Sequence, residues 1–180
     1  VGYVMGPPGS YSEQRVYPAE RLIPLPDDVS DTQAAGMLLK GLTVSYLIRR
    51  TYQAKAGETV LVHAAAGGVG LIACQWLKLM GITVIGTVGS NEKAELAKAY
   101  GCDHPIVYTR EDFAASVMEI TGGEGVPVVY DGVGAGVYEG SLACLSRFGT
   151  YVNFGAASGP IPPVPGTALA GKALYFTRPG

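Results

Sequence analysis

Val60-Leu61-Val62-His63-Ala64-Ala65-Ala66-Gly67-Gly68-Val69-Gly70 is the stretch on which the reading of this chain turns. A short apolar run with strong strand preference passes into small residues, and the glycines then open a helix predicted over 68–79. A strand, a tight turn and a helix start in that order bring free main-chain N–H groups and the positive end of a helix to one point, which suits a diphosphate. Gly67 lets the backbone come close to such a ligand, and Gly70 lets the helix pack on the strand. The string departs from G-x-G-x-x-G, because Ala65 stands where the first glycine would be. Its context, strand before and helix after, therefore carries the reading. A glycine-rich turn with no ligand is the alternative.

Outward from this stretch the same rhythm repeats. Strands are predicted at 59–63, 83–87, 105–108, 126–130, 150–154 and 173–176, and helices at 68–79, 91–100, 111–120 and 138–145. The Val- and Ile-rich strands lack polar alternation, which implies burial on both faces, as in a parallel sheet. Repeated β-α units give an α/β fold: a Rossmann-type, doubly wound, parallel six-stranded sheet with helices on both faces. Before residue 58 the pattern is less regular. Segment 11–16 is expected as a strand, Ser30 and Asp31 offer N-caps for a helix, Lys40-Gly41-Leu42-Thr43 is expected to interrupt it, and a second helix starts at Val44.

The tip of the second strand bears on which dinucleotide is held. Sites for NAD place Asp or Glu about 20 residues past the glycine motif, on the adenine ribose. Here Gly86-Thr87-Val88-Gly89-Ser90-Asn91 supplies no carboxylate. Gly89 and Ser90 leave room and a hydroxyl for a 2′-phosphate, and Lys93 lies one helical turn on, which favours NADPH. Alone, Lys93 would read as a solvated helix residue; beside the missing acid it reads as a phosphate contact. Glu92 is expected to point away. His63 reads as a packed core histidine rather than a base. Asp131, at the end of the fourth strand, faces the ligand edge, and capping of the Gly132-Val133-Gly134 turn is its preferred reading.

Composition excludes other classes. The chain has 180 residues, 48% of them hydrophobic, and a net charge of -2 without any Lys/Arg run, so it is globular and lacks the footprint of a nucleic-acid binder. No apolar stretch is long enough for a membrane span, and no signal peptide is visible, which suits the cytoplasm. A start at Val1 rather than Met points to a piece of a longer chain. Cys74, Cys102 and Cys144 are odd in number and show no CxxC spacing, so they read as reduced thiols, with no metal ligand set.

Taken together, Lys40-Gly41-Leu42-Thr43, the stretch 63–70, Gly86-Thr87-Val88-Gly89 and Val129-Tyr130-Asp131-Gly132-Val133-Gly134 resemble the zinc-independent, zeta-crystallin-like quinone oxidoreductases of the medium-chain dehydrogenase/reductase superfamily. The resemblance implies that 1–28 is the last part of a GroES-like catalytic domain and 29–180 the NADPH-binding domain. It implies that the chain turns back toward the catalytic domain at 177–180. It assigns Ala66, Gly67, Gly68 and Val69 to the pyrophosphate, and Gly89, Ser90, Lys93 and Tyr108 to the 2′-phosphate and adenine. Gly134, Phe154, Gly155 and Ala156 go to the nicotinamide side, Phe176, Thr177 and Arg178 to the last cofactor contacts, and Thr43 to the nicotinamide ribose. For Tyr108 and Phe176, sheet packing stands as an equal alternative. The reaction it implies is hydride or electron transfer from NADPH to a quinone without metal, in a homodimer joined through strand 172–176. A sister enzyme reducing enones, alkenals or enoyl thioesters, and a non-catalytic NADPH-binding protein, are the competing readings.

Overall fold

The computed structural model describes every residue except Met5, Pro7 and Gly180. Gly180, the last residue of the turn-back expected at 177–180, lies outside the described residues. The chain divides into two compact units, Val1–Thr43 and Val44–Gly180.

In the first unit Gly2 and Ile23 form an antiparallel bridge, and Ala19–Arg21 makes a 3-10 turn. Segment 11–16 is not a strand but a run of bends and irregular chain. A strand exists by pairing, and that single bridge is all the first unit's described residues offer. The guanidinium of Arg15 instead lies 4.9 Å from the ring centres of both Tyr3 and Tyr17.

Helix α1 (Asp31–Tyr46) begins in a capping box: Gln33 N–H donates to Ser30 Oγ at 3.3 Å, and Ser30 N–H to Gln33 Oε1 at 2.9 Å. The expected break at 40–43 does not occur. A mid-helix glycine costs only about 1 kcal/mol, the space around Gly41 is open, and the Thr43 hydroxyl is satisfied by Leu39 O at 2.9 Å. The helix then widens into a π turn, Leu47–Thr51, closed by Tyr52 N–H on Leu47 O at 3.1 Å.

In the second unit the strands are β1 (Thr59–Val62), β2 (Thr83–Val88), β3 (His104–Val107), β4 (Val126–Asp131), β5 (Leu145–Asn153) and β6 (Tyr175–Thr177). They form one sheet in the order β3-β2-β1-β4-β5-β6, every pair parallel. Helices α2 (Gly68–Leu79), α3 (Asn91–Ala99), α4 (Phe113–Ile120) and α5 (Tyr138–Cys144) form the crossovers. The alternate faces of each strand enter two different cores. Val60, Val62, Val84 and Val128 pack with α2 and α3, while Leu61, Ile85, Val129 and Tyr151 pack under α4 and α5. That is the doubly wound arrangement, and its strand order reverses between β1 and β4.

Three local features lie outside the expected pattern. Helix α6 (Gly166–Ala170) is a single turn inside a proline-rich loop. Strand β5 starts early and bulges before Thr150, with Phe148 at φ 62. Strand β6 begins only at Tyr175, because Ala173 takes a left-handed conformation at φ 52 that an extended strand excludes; Lys172 Nζ beside it donates to Ala143 O and Leu145 O at 2.8 and 2.7 Å.

Candidate functional site

A cleft of about 410 Å³ opens at the carboxyl ends of β1, β2 and β4. One wall is built from the turn after β1. Ala64 takes a left-handed conformation at φ 53, and its carbonyl receives Gly67 N–H at 2.8 Å. This hairpin of backbone runs straight under the first turn of α2. A Cβ on Gly70 would stand 2.3 Å from Ala64 O and 2.6 Å from Ala65 O, so glycine alone permits the approach. Gly67 is the N-cap of α2 and has no side-chain capping bond; Leu71 N–H, on Gly67 O at 2.9 Å, closes the first turn. The N–H groups of Gly68, Val69 and Gly70 therefore have no acceptor within the helix. By contrast α3 and α4 are capped by the side chains of Ser90 and Asp112.

The tip of β2 forms the end of the cleft. Gly89, Lys93 and Tyr108 all line it, with no carboxylate among the lining residues. The Tyr108 hydroxyl lies over Gly89, where an added Cβ would meet it at 3.1 Å, and the ring is 52% exposed, so Tyr108 belongs to the cleft rather than to the sheet. Ser90 Oγ accepts from Lys93 N–H at 3.3 Å as the N-cap of α3. Glu92 is not among the residues that line the cleft. The Ser90 hydroxyl, then its own N–H, hold its carboxylate below the usual range, with a smaller pull from Arg110.

The opposite wall comes from the loops after β4 and β5. Asp131 is fully buried and its carboxylate accepts from Val133 N–H at 2.6 Å, Gly134 N–H at 3.0 Å, the Tyr151 hydroxyl at 2.5 Å and Asn153 Nδ2 at 2.8 Å. Burial, then this bond to Asp131, push the Tyr151 phenol up. Asp131 is thus the cap of the turn, as its sequence position suggested. The two loops meet backbone to backbone. A Cβ on Gly134 (φ 92) would lie 2.3 Å from Gly159 O, and one on Gly155 2.5 Å from Gly132 O. Ser158 locks them, its hydroxyl donating to Val133 O and accepting from Gly136 N–H, both at 2.9 Å.

The remaining residues assigned in advance lie around this wall or apart from it. Phe154 packs its ring against Gly132, and Gly155 O accepts from Asn153 Nδ2 at 3.0 Å. Ala156 O receives Gly159 N–H at 3.0 Å. Phe176 packs on Tyr151, ring centres 5.7 Å apart, and Thr177 pairs with Val152. Arg178 donates to Asn153 Oδ1, Asn153 O and Gly155 O. Of the sixteen assigned positions, Ala66, Gly67, Gly89, Lys93 and Tyr108 line the cleft itself. Gly68, Val69 and Ser90 belong to the helix starts beside it. Thr43 belongs to the first unit.

Sequence reasoning passed over Thr87, Phe113, Val137 and Ser158, which also line the cleft. Thr87 had a signal, a hydroxyl at the buried end of β2; Phe113 comes from the first turn of α4, and Val137 and Ser158 from the segments after β4 and β5. The cysteines are buried thiols. No three His, Cys, Asp or Glu among the described residues stand close enough to hold a metal ion, and no described helix is long and apolar enough to cross a membrane.

The zinc-binding dehydrogenase family model matches residues 68–177. A quinone oxidoreductase of Pseudomonas aeruginosa is 51% identical over 180 residues, covering 99% of this chain and 55% of that protein. A 2-haloacrylate reductase of a Burkholderia species is 48% identical over 178 residues, covering 96% of this chain and 53% of its own. The Escherichia coli quinone oxidoreductase complexed with NADPH superposes with a TM-score of 0.87 at 50% identity, over 90% of this chain and 50% of that one. The chain spans about half the length of the curated relatives it matches. With the strand order, the glycine cradle and these matches together, the chain belongs to the zinc-binding dehydrogenase family, in the quinone oxidoreductase group of the medium-chain dehydrogenase/reductase superfamily.

Proposed function

We propose that this chain is the cofactor-binding part of an NADPH-dependent quinone reductase that works without zinc, with 1–28 belonging to a GroES-like catalytic domain and 29–180 to the Rossmann domain. The observation that carries the reading is one cleft with a helix-start cradle at Gly67–Gly70 and an acid-free end holding Gly89, Lys93 and Tyr108. Such a site fits a dinucleotide with an extra phosphate, because a carboxylate at residue 89 would both repel that phosphate and run into Tyr108.

NADPH, when bound, supplies the hydride. The chain's own residues bind and orient. The N–H groups of Gly68 and Val69, with Ala66 and Gly67, hold the diphosphate, and Lys93, Gly89, Ser90 and Tyr108 hold the 2′-phosphate and adenine. Gly134, Phe154, Gly155 and Ala156 face the nicotinamide side, with Thr43 toward its ribose. Phe176, Thr177 and Arg178 complete the cofactor contacts. In this reading Arg178 acts by fixing the Asn153–Gly155 backbone, where its guanidinium is already engaged. We assign the protein to the cytoplasm, as a homodimer through the edge strand β6, whose Tyr175 is 60% exposed.

The test is calorimetry of this chain with NADPH and NADH; the expected result is a clear preference for NADPH, and equal affinities would refute it. A second reading, reduction of activated alkenes, is favoured by the 2-haloacrylate reductase among the relatives. Turnover of 9,10-phenanthrenequinone against 2-chloroacrylate by the full-length protein separates the two. Tight NADPH binding with neither turnover would support a non-catalytic binding protein.

A further inference from the structure

His63, just past the end of β1, is 2% exposed. Its Nδ1 lies 2.9 Å from Thr87 Oγ1 and its Nε2 2.8 Å from Ser141 Oγ. Ser141 gives its own proton to Val137 O, one helical turn back, at 2.6 Å. A hydroxyl with its proton committed can only accept, so Nε2 carries the imidazole hydrogen. Nδ1 is then the acceptor, and Thr87 donates to it. The lone pairs of Thr87 face Ala64 N–H at 3.4 Å. The result is a directed chain: Thr87 O–H to His63 Nδ1, His63 Nε2–H to Ser141, Ser141 O–H to Val137 O.

The ends of this chain lie on opposite walls of the cleft. Thr87 and Ala64 belong to the wall made by β1 and β2, and Val137 to the wall that follows β4. Phe113, another lining residue, stands edge-on to the imidazole with ring centres 5.1 Å apart and an interplanar angle of 88°. The sheet pairs β1 with β4 directly, but it ends at Val62 and Asp131. Beyond Val62, His63 N–H still reaches Tyr130 O at 3.0 Å, and its side-chain chain then links the two walls.

We propose that His63 is a positioning residue for the nucleotide cleft: as a neutral imidazole protonated at Nε2, it ties the β1–β2 wall to the start of α5 and sets the separation the cofactor needs. The inference rests on the reading of this cleft as a cofactor site. A histidine that merely filled space would be replaceable by an apolar side chain of similar volume without loss of binding. A histidine that joins two walls would not.

The experiment compares the parent chain with His63→Leu, His63→Gln and Ser141→Ala, by calorimetry with NADPH and by thermal unfolding. In His63→Gln the amide nitrogen overlays Nε2 and keeps a donor to Ser141. The expected result is an affinity loss of about tenfold or more in His63→Leu, with recovery to within about threefold in His63→Gln. Ser141→Ala is expected to weaken binding as well, and adding it to His63→Leu to cost little more, because both break one chain. Binding within twofold of the parent in a folded His63→Leu chain overturns the proposal, as do fully additive losses. A cofactor-free arm keeps the test alive if His63→Leu does not fold or the parent does not bind. Nitrogen NMR of the parent at pH 7 is expected to show His63 as the Nε2–H tautomer. The Gly136 and Val137 amide signals are expected to move in Ser141→Ala and to stay near the parent's in His63→Gln, which keeps the donor to Ser141. An Nδ1–H tautomer, or amides unmoved in Ser141→Ala, overturns it. A parent that binds no NADPH but gives the expected NMR result counts against the function proposed above, not against the wall-joining role.

Discussion

Gly70→Ala is the sharpest probe of the cradle. The added methyl would sit 2.3 Å from Ala64 O, 2.6 Å from Ala65 O and 2.7 Å from the Ala65 carbonyl carbon. All three are backbone atoms of the turn below, so no side chain can rotate away. An ordinary carbon–oxygen contact needs about 3.3 Å, so the start of α2 must back off from the turn by about 1 Å. Overpacking of this kind costs about 1–3 kcal/mol, and the rigid neighbours put this site at the upper end. At about 2–4 °C per kcal/mol for a chain of this size, the unfolding midpoint falls by roughly 6–12 °C. Withdrawal of the helix start also removes the N–H groups from a diphosphate, so NADPH affinity drops by at least about tenfold. Gly41→Ala is the matched control: it lies inside α1 with nothing within 4 Å of an added Cβ, and stability is expected to rise by about 0.5–1 kcal/mol. Differential scanning calorimetry and titration with NADPH read both effects. A Gly70→Ala chain with the parent's midpoint and affinity would refute the claim that the turn and the helix are in contact for a reason.

Three further outcomes are expected of the same fold. Burial pushes the His63 imidazole down to about 4, against a smaller upward pull from Asp131. The unfolded chain takes up that proton near pH 6.5 and the folded chain does not, so the contribution of His63 to stability is constant above pH 6.5 and falls by roughly 3 kcal/mol in all between pH 6.5 and 4. Urea midpoints of the parent and His63→Gln at pH 7 and pH 4.5 check this, and identical pH slopes would contradict it. Lys93→Ala is expected to weaken NADPH severalfold and leave NADH nearly unchanged, with equal losses counting against the phosphate assignment. The Tyr138 hydroxyl is buried with no hydrogen-bond partner, so Tyr138→Phe should hold or raise stability by about 1 kcal/mol. A clear loss in its thermal midpoint would show that the phenol has a partner.

The doubly wound sheet was legible because its signal is local and repeated. Strands such as 59–62 and 83–88 are apolar on both faces, and each is followed at a short distance by a helix, α2 and α3. The near wall of the cleft was legible for the same reason, since Gly67, Gly70, Gly89 and Lys93 lie within two β-α turns. The far wall was legible only through the family resemblance, which pointed to Gly134 and to 154–156. Ser158 enters through hydrogen bonds to Val133 and Gly136, more than 20 residues away, and no sequence period reports such a pairing. The misread break in α1 has the opposite cause. Glycine and threonine weaken a helix by amounts that neighbouring contacts easily offset. The supposed strand at 11–16 had suitable residues but no second strand beside it.

The meeting of the loops after β4 and β5 has a consequence for how this end of the molecule tolerates change. Carbonyl oxygens of one loop occupy the places where side chains of the other would grow, at Gly134 and at Gly155 in turn. Neither segment can therefore be lengthened, or given bulk at these glycines, while its companion keeps its course. Alteration here has to arrive as a matched pair, so the two segments are best transplanted between related enzymes as one cassette.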